Sequence, residues 1–126
     1  MKENINWDWV EEDEDITFNT ELLISELKKF LNGEPEFIKI NNYIWSFYYY
    51  RYTNSFEWYL SDLDITIKTS IKNNLILIET MIPFGHINNN EINYNTNRYK
   101  INIDKKIDSY DYIKIMKDWI KKNLMI

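Results

Sequence analysis

Two amphipathic stretches of helical period enclose a series of short apolar segments, most of them separated by Asn- or Ser-containing reversals. That order predicts an α+β fold: an N-terminal helix, an antiparallel meander of four to five strands, and a C-terminal helix packed on the sheet. The 126 residues and their 44% hydrophobic content suit one domain over residues 1–126 with one core. Residues 1–18 form an acidic, Trp-containing lead-in whose order the sequence does not set.

The first helix is expected from Thr20 to Asn32. Thr20 can accept a hydrogen bond from a free N–H, Glu21 complements the positive end, and Leu22, Leu23, Ile24, Leu27, Phe30 and Leu31 make the apolar stripe. Gly33 and Pro35 stop it. Candidate strands follow at Phe37–Ile40 and Tyr43–Tyr52, either joined or separated by a turn at Asn41-Asn42. Thr53-Asn54-Ser55 reads as a turn into Phe56–Leu60, and Ser61-Asp62 as another reversal. Over Leu63–Lys72, Leu63, Ile65, Ile67 and Ile71 alternate with polar residues, which predicts one buried and one wet face. Asn73-Asn74 turns the chain into Leu75–Ile82, apolar on both faces and therefore expected inside the sheet. Pro83 is expected to end that strand, the tract from His86 to Asn97 to be a loop, and Tyr99, Ile101 and Ile103 to make a last short strand. The second helix is expected from Ser109 to Leu124, capped by Asp108 or Ser109, with Asp111 in its first turn and Lys121 and Lys122 in its last. Tyr112, Ile113, Met116, Trp119, Ile120 and Leu124 share one face, as a core-facing stripe would.

Ten of the seventeen residues from Tyr43 to Tyr59 are aromatic, with Arg51 the one basic residue among them. Strand alternation sends Trp45, Phe47 and Tyr49 one way and Ile44, Tyr48, Tyr50 and Tyr52 the other. A small core does not hold them all, so one face is expected to be offered to a partner or ligand, with sheet-stabilising cross-strand pairing the structural alternative.

Charge is unevenly spread. Residues 1–64 carry 14 acidic and 5 basic side chains, a balance of −9, while residues 65–126 carry 6 acidic and 10 basic, a balance of +4. Glu11-Glu12-Asp13-Glu14-Asp15 dominates the negative half, a field that repels phosphate and favours a basic protein surface. Trp7, Trp9 and Val10 beside that run point to a docking segment rather than a free tail. The absence of Cys removes disulfides, thiolate metal sites and a thiol nucleophile. The start lacks a signal-peptide core, and Leu75–Ile82 is far short of the roughly 20 apolar residues that span a bilayer, so the cytoplasm is the expected compartment. Abundant Ile, Asn, Lys and Tyr with no Ala or Gln is the bias of AT-rich codons, as in an AT-rich bacterium or its phage.

Motifs that carry chemistry are sparse. Ser61-Asp62-Leu63-Asp64-Ile65 resembles the metal-binding segment of nucleotidyltransferases over those five residues. That likeness, with Glu79 on the next strand, implies a divalent-metal site at Asp62, Asp64 and Glu79. The Gly-Ser turn which that family places upstream for nucleotide phosphates is missing, and Glu79 can equally pair with Lys68 or Lys72 across the hairpin. His86, the one histidine, has no nucleophile context, and two glycines do not make a phosphate loop. No cofactor is expected. The reading is a small acidic protein-binding protein, such as an inhibitor, an immunity protein or a phage-encoded antagonist of a nuclease or defence enzyme. Glu11, Glu12, Asp13, Glu14 and Asp15 would steer it, and Trp7, Trp9, Tyr48, Tyr50 and Trp58 would anchor it. Alternatives are a dimeric secretion-chaperone-like adaptor and a domain sequestering a nucleotide-like ligand; nucleic acid and membranes are not expected partners.

Overall fold

In the computed structural model, residues 20–87 and 91–124 are described, with α1 at Thr20–Leu31 before and α2 at Ser109–Asn123 after the six strands of one sheet in chain order. The strands are β1 (Glu36–Ile40), β2 (Tyr43–Tyr50), β3 (Ser55–Leu60), β4 (Ile65–Lys72), β5 (Leu75–Ile87) and β6 (Glu91–Asn102), all antiparallel and adjacent in chain order. The α+β class, the meander and the flanking helices match the expectation; the sheet has one strand more.

Reversals rely on Asn and Asp where many chains use glycine. Asn41 and Asn73 open the two-residue turns β1–β2 and β4–β5, and Asn54 and Asp64 close the longer turns β2–β3 and β3–β4, all four with positive φ. Their short polar side chains make the left-handed region tolerable. Asn54 and Asp64 each donate a backbone N–H back across the turn, to Arg51 and Ser61. At the end of α1, Asn32 and Gly33 are both left-handed, and the Glu34 N–H bonds the Leu31 carbonyl at 2.8 Å.

Helical period places Leu23, Leu27 and Leu31 of α1, and Tyr112, Met116 and Ile120 of α2, in the core. Leu22 and Phe30, expected in the α1 stripe, are exposed; the inward stripe is Leu23, Leu27 and Leu31, with Ile24 packed beside it. A reciprocal cap starts α2: the Asp111 N–H donates to the Asp108 carboxylate at 2.8 Å, and the Asp108 N–H donates to the Asp111 carboxylate at 3.1 Å. Both helices pack on one side of the sheet, over Trp45, Phe47, Phe56, Trp58, Leu60, Ile65, Ile67, Ile76 and Ile78. No helix among the described residues is long and apolar enough to cross a membrane.

Two expectations for the second half of the sheet are corrected. Pro83 does not end β5, and the Asn-rich tract is not a loop up to Asn97: from Glu91 it is strand, and the backbone at His86 lies within β5. The reason is geometric. Pairing of β5 with β4 stops at Met81, so at Pro83 only β6 is a neighbour, and a register shift between Pro83 and Gly85 absorbs the irregularity. A proline without an N–H is tolerated at such an edge and bulge.

The heart of the core is aromatic. Tyr112 lies with its ring centroid 5.9 Å from that of Phe47, and its hydroxyl accepts from Trp58 Nε1 at 3.2 Å and bonds the Thr69 hydroxyl. Thr69 also donates to the Phe56 carbonyl at 3.1 Å. One buried hydroxyl thus ties α2 to both β3 and β4. Tyr112→Phe strands the buried indole N–H and is expected to lower unfolding free energy by about 1–3 kcal/mol in urea titration. Tyr110→Phe, at a position 84% exposed, is the control and should leave the midpoint unchanged.

Candidate binding face

The side of the sheet opposite the helices holds the second half of the alternation. Register places Tyr48 of β2, Glu57 of β3, Lys68 of β4, Glu79 of β5 and Arg98 of β6 in one straight row across five strands. Tyr48 donates its hydroxyl to Glu57 Oε1 at 3.0 Å, and Arg98 Nε donates to Glu79 Oε2 at 3.1 Å. Lys68 stands in register between the two carboxylates. The expected wet face is therefore not wet at its centre: Glu57, Lys68 and Glu79 are 2%, 6% and 7% exposed. Charges so placed need opposite neighbours, and the alternating order of the row supplies them.

Beside this row runs an aromatic strip. The Tyr48 and Tyr50 rings meet edge to face at 6.5 Å, the Tyr50 and Tyr52 rings lie 5.4 Å apart, and the Arg51 guanidinium sits 5.7 Å from the Tyr52 ring centre. Tyr52, at the tip, is 67% exposed. Trp58 does not belong to this surface. It is fully buried among Phe47 and Tyr112, on the helix side, and cannot serve as a partner anchor in the folded chain. Its parity puts it there: Glu57, one residue earlier, takes the outer face.

Farther along the same side, the Asp64 carboxylate accepts hydroxyls from Tyr59, at 3.2 Å, and from Tyr94. Glu79 is held by Arg98, and Asp62 is exposed in the turn. Asp62, Asp64 and Glu79 are thus not brought together, and among the described residues no group of three or more His, Cys, Asp or Glu could hold a metal ion. A cleft of about 550 Å³ opens at the edge of β2, where the chain from α1 meets the sheet. Lys28, Tyr48, Tyr49 and Tyr59 line it, with the Lys28 ammonium 4.5 Å from the Tyr49 ring centre. Trp7, Trp9 and Glu11 to Asp15 lie outside the described residues.

Glu57 stands against Lys68, which the sequence offered as a partner for Glu79; Glu57, Arg98 and Tyr94 are the participants that sequence reasoning passed over. Glu57 and Lys68 mirror each other about the Ser61–Asp64 turn, a pairing visible once the register is known. Tyr94 falls in the tract expected to be loop, and Arg98 lies between that tract and the expected last strand. No protein-family model matches the chain, and no curated protein or solved structure is detectably similar to it.

Four tyrosines have raised pKa values: burial and a bonded carboxylate raise those of Tyr48, Tyr59 and Tyr94, while burial raises that of Tyr112 against the opposing pull of its hydrogen bonds to Thr69 and Trp58. Burial is the largest cause for Tyr48, followed by the Glu57 charge; burial leads for Tyr59 and Tyr112, and the bond to Asp64 leads for Tyr94. A phenol with a folded pKa above its unfolded value of about 10 stabilises fully below that pH and loses its contribution as pH rises through the folded value. Phenolate absorbance should therefore rise later in the native chain than in urea, and the part of the stability that these tyrosines supply should be lost only above about pH 10. Coincident native and unfolded titrations would contradict this placement of the tyrosines.

Proposed function

We propose that this chain is a small acidic protein-binding protein that occupies a basic surface of another protein. An inhibitor, an immunity protein or a phage-encoded antagonist of a nuclease or defence enzyme would work in this way. The observation that carries the reading is the sorting of the aromatics. Trp45, Phe47, Phe56, Trp58 and Tyr112 fill the core, while Tyr48, Tyr50 and Tyr52 form a separate strip on the other face that ends on an exposed ring. Tyrosine brings a large contact area with few rotors and a polar tip, which is why it dominates many interfaces. Glu11, Glu12, Asp13, Glu14 and Asp15 supply the steering field, and Trp7 and Trp9 further anchoring, on the sequence alone. Blocking requires only occupancy, so no reacting group is needed.

A second reading rests on the cleft at the edge of β2. Lys28 beside Tyr49 on the helix side, with Tyr48 and Tyr59 lining the cleft from the other face of the sheet, suits a flat anionic ligand such as a nucleotide. A rise in melting temperature with nucleotides at saturating concentration favours it; an unchanged temperature removes it.

The main reading is tested on the partner captured from lysate at low and high salt. Reversing the charge of Glu11 to Asp15 should slow association in a salt-dependent way, and Tyr52→Ala should speed dissociation by about tenfold, the weight of a moderate hot spot. An association rate indifferent to the reversal removes the steering role.

A further inference from the structure

The helix side of the molecule carries a groove of its own, separate from the cleft at the edge of β2. It has a volume of about 460 Å³ and lies between Phe30 of α1, Ile38 of β1 and the flank of α2 from Ser109 to Lys121. Ile38 and Ile113 are its aliphatic lining, packed against the main core and still partly open. Phe30 and Tyr110 border it, 44% and 84% exposed.

Helical spacing accounts for the rest of the border. Lys114, Lys117 and Lys121 recur at intervals of three and four along the flank of α2 that faces the groove, a row of about 10 Å at about 1.5 Å per residue. Among the described residues no carboxylate forms an ion pair with any of them. Asp118 is the one acidic residue of the lining, so three cations stand against one anion, a balance of +2. Solvated lysines alone need no partner. Here they border exposed apolar surface, and the two together define what fits.

We infer that this groove docks an acidic amphipathic helix of another protein. The apolar stripe of that helix enters between Phe30 and Ile113, and its carboxylates meet the lysine row. Length and charge distribution select this occupant. From Ser109 to Lys121 the groove follows α2 for twelve residue steps, about 18 Å, which matches about three turns of a partner helix. A fatty acid concentrates its charge at one end, whereas these cations are spread over two turns. A nucleic acid strand spreads its charge, but the branched side chains of Ile38 and Ile113 give its bases no flat surface to stack on. A helix with carboxylates at intervals of three and four beside an apolar stripe satisfies both halves of the groove.

The docking goes beyond the blocking of a basic surface and does not depend on it. The groove lies on the helix side, Tyr48, Tyr50 and Tyr52 on the other.

Two fluorescein-labelled helical peptides of about fourteen residues test it by anisotropy against the full chain. Both carry Leu at i, i+3, i+4 and i+7; one has Glu at the other positions and one has Lys. The Glu peptide is expected to bind, more weakly as salt rises, and the Lys peptide is not. Lys114→Glu with Lys121→Glu, at exposed positions, should weaken the Glu peptide by about tenfold or more. Lys105→Glu with Lys122→Glu makes the same change of net charge at exposed positions outside the groove and should alter the affinity by less than about twofold. Asp118→Asn should tighten binding. Lys114→Gln with Lys121→Gln replaces the reversed pair should that variant fold poorly, with weakening still expected. Absence of binding at about 1 mM peptide, equal affinity for the two peptides, or equal loss with both pairs of reversals overturns the proposal. Displacement of the Glu peptide at lower concentration by oligothymidylate or by laurate assigns the groove to nucleic acid or to a fatty acid and overturns it too.

Discussion

The register of β3 against β4 is the constraint on which the two faces of this molecule depend. With Trp58 opposite Ile67, Glu57 necessarily stands opposite Lys68 on the other side, and the same rows continue through β2, β5 and β6. A slip of one residue would exchange the faces, sending the carboxylate and the ammonium under the helices and two core residues out. Burying unpaired charge there costs several kcal/mol, so the slipped sheet is not a competitor. Asp64 keeps the register. Its left-handed backbone closes the turn, and its carboxylate is held by tyrosines from β3 and β6 at once.

Much of this was legible in the sequence because two periodicities dominate it. The helices announce themselves through Leu23, Leu27 and Leu31, through Tyr112, Met116 and Ile120, and through the carboxylates at the start of α2. Strand parity was equally plain from Ile65 to Lys72 and correctly separated Trp45 and Phe47 from Tyr48 and Tyr50. What escaped were features decided by neighbours far along the chain. Pro83 stops a strand only if a partner needs its N–H, and β4 has already ended there. Asparagine has little intrinsic strand preference, yet β5 imposes the ladder on the tract from Glu91. Trp58 reads as surplus on composition, but a tyrosine from a helix 54 residues away supplies the acceptor its indole requires.

The candidate site was legible only in outline, for the same reason. Composition located an aromatic band, and alternation divided it. The row from Tyr48 to Arg98 needs five strands in register before its charges become neighbours. Its order gives the helix-free side a polar spine of alternating charge, and on one flank of that spine a row that runs from Tyr50 of β2 to Leu77 of β5.

Among the described residues, strand β6 has a strand neighbour on one side only, and the outer backbone donors and acceptors of its twelve residues belong to no ladder. Unguarded, such an edge recruits a second molecule into a growing sheet. Here Arg98 and Lys100 flank Tyr99, so two copies of the strand meeting antiparallel about that tyrosine would set cation against cation. The asparagines along the strand offer no apolar stripe to offset that repulsion. The sheet's last strand carries its own safeguard against fibre growth.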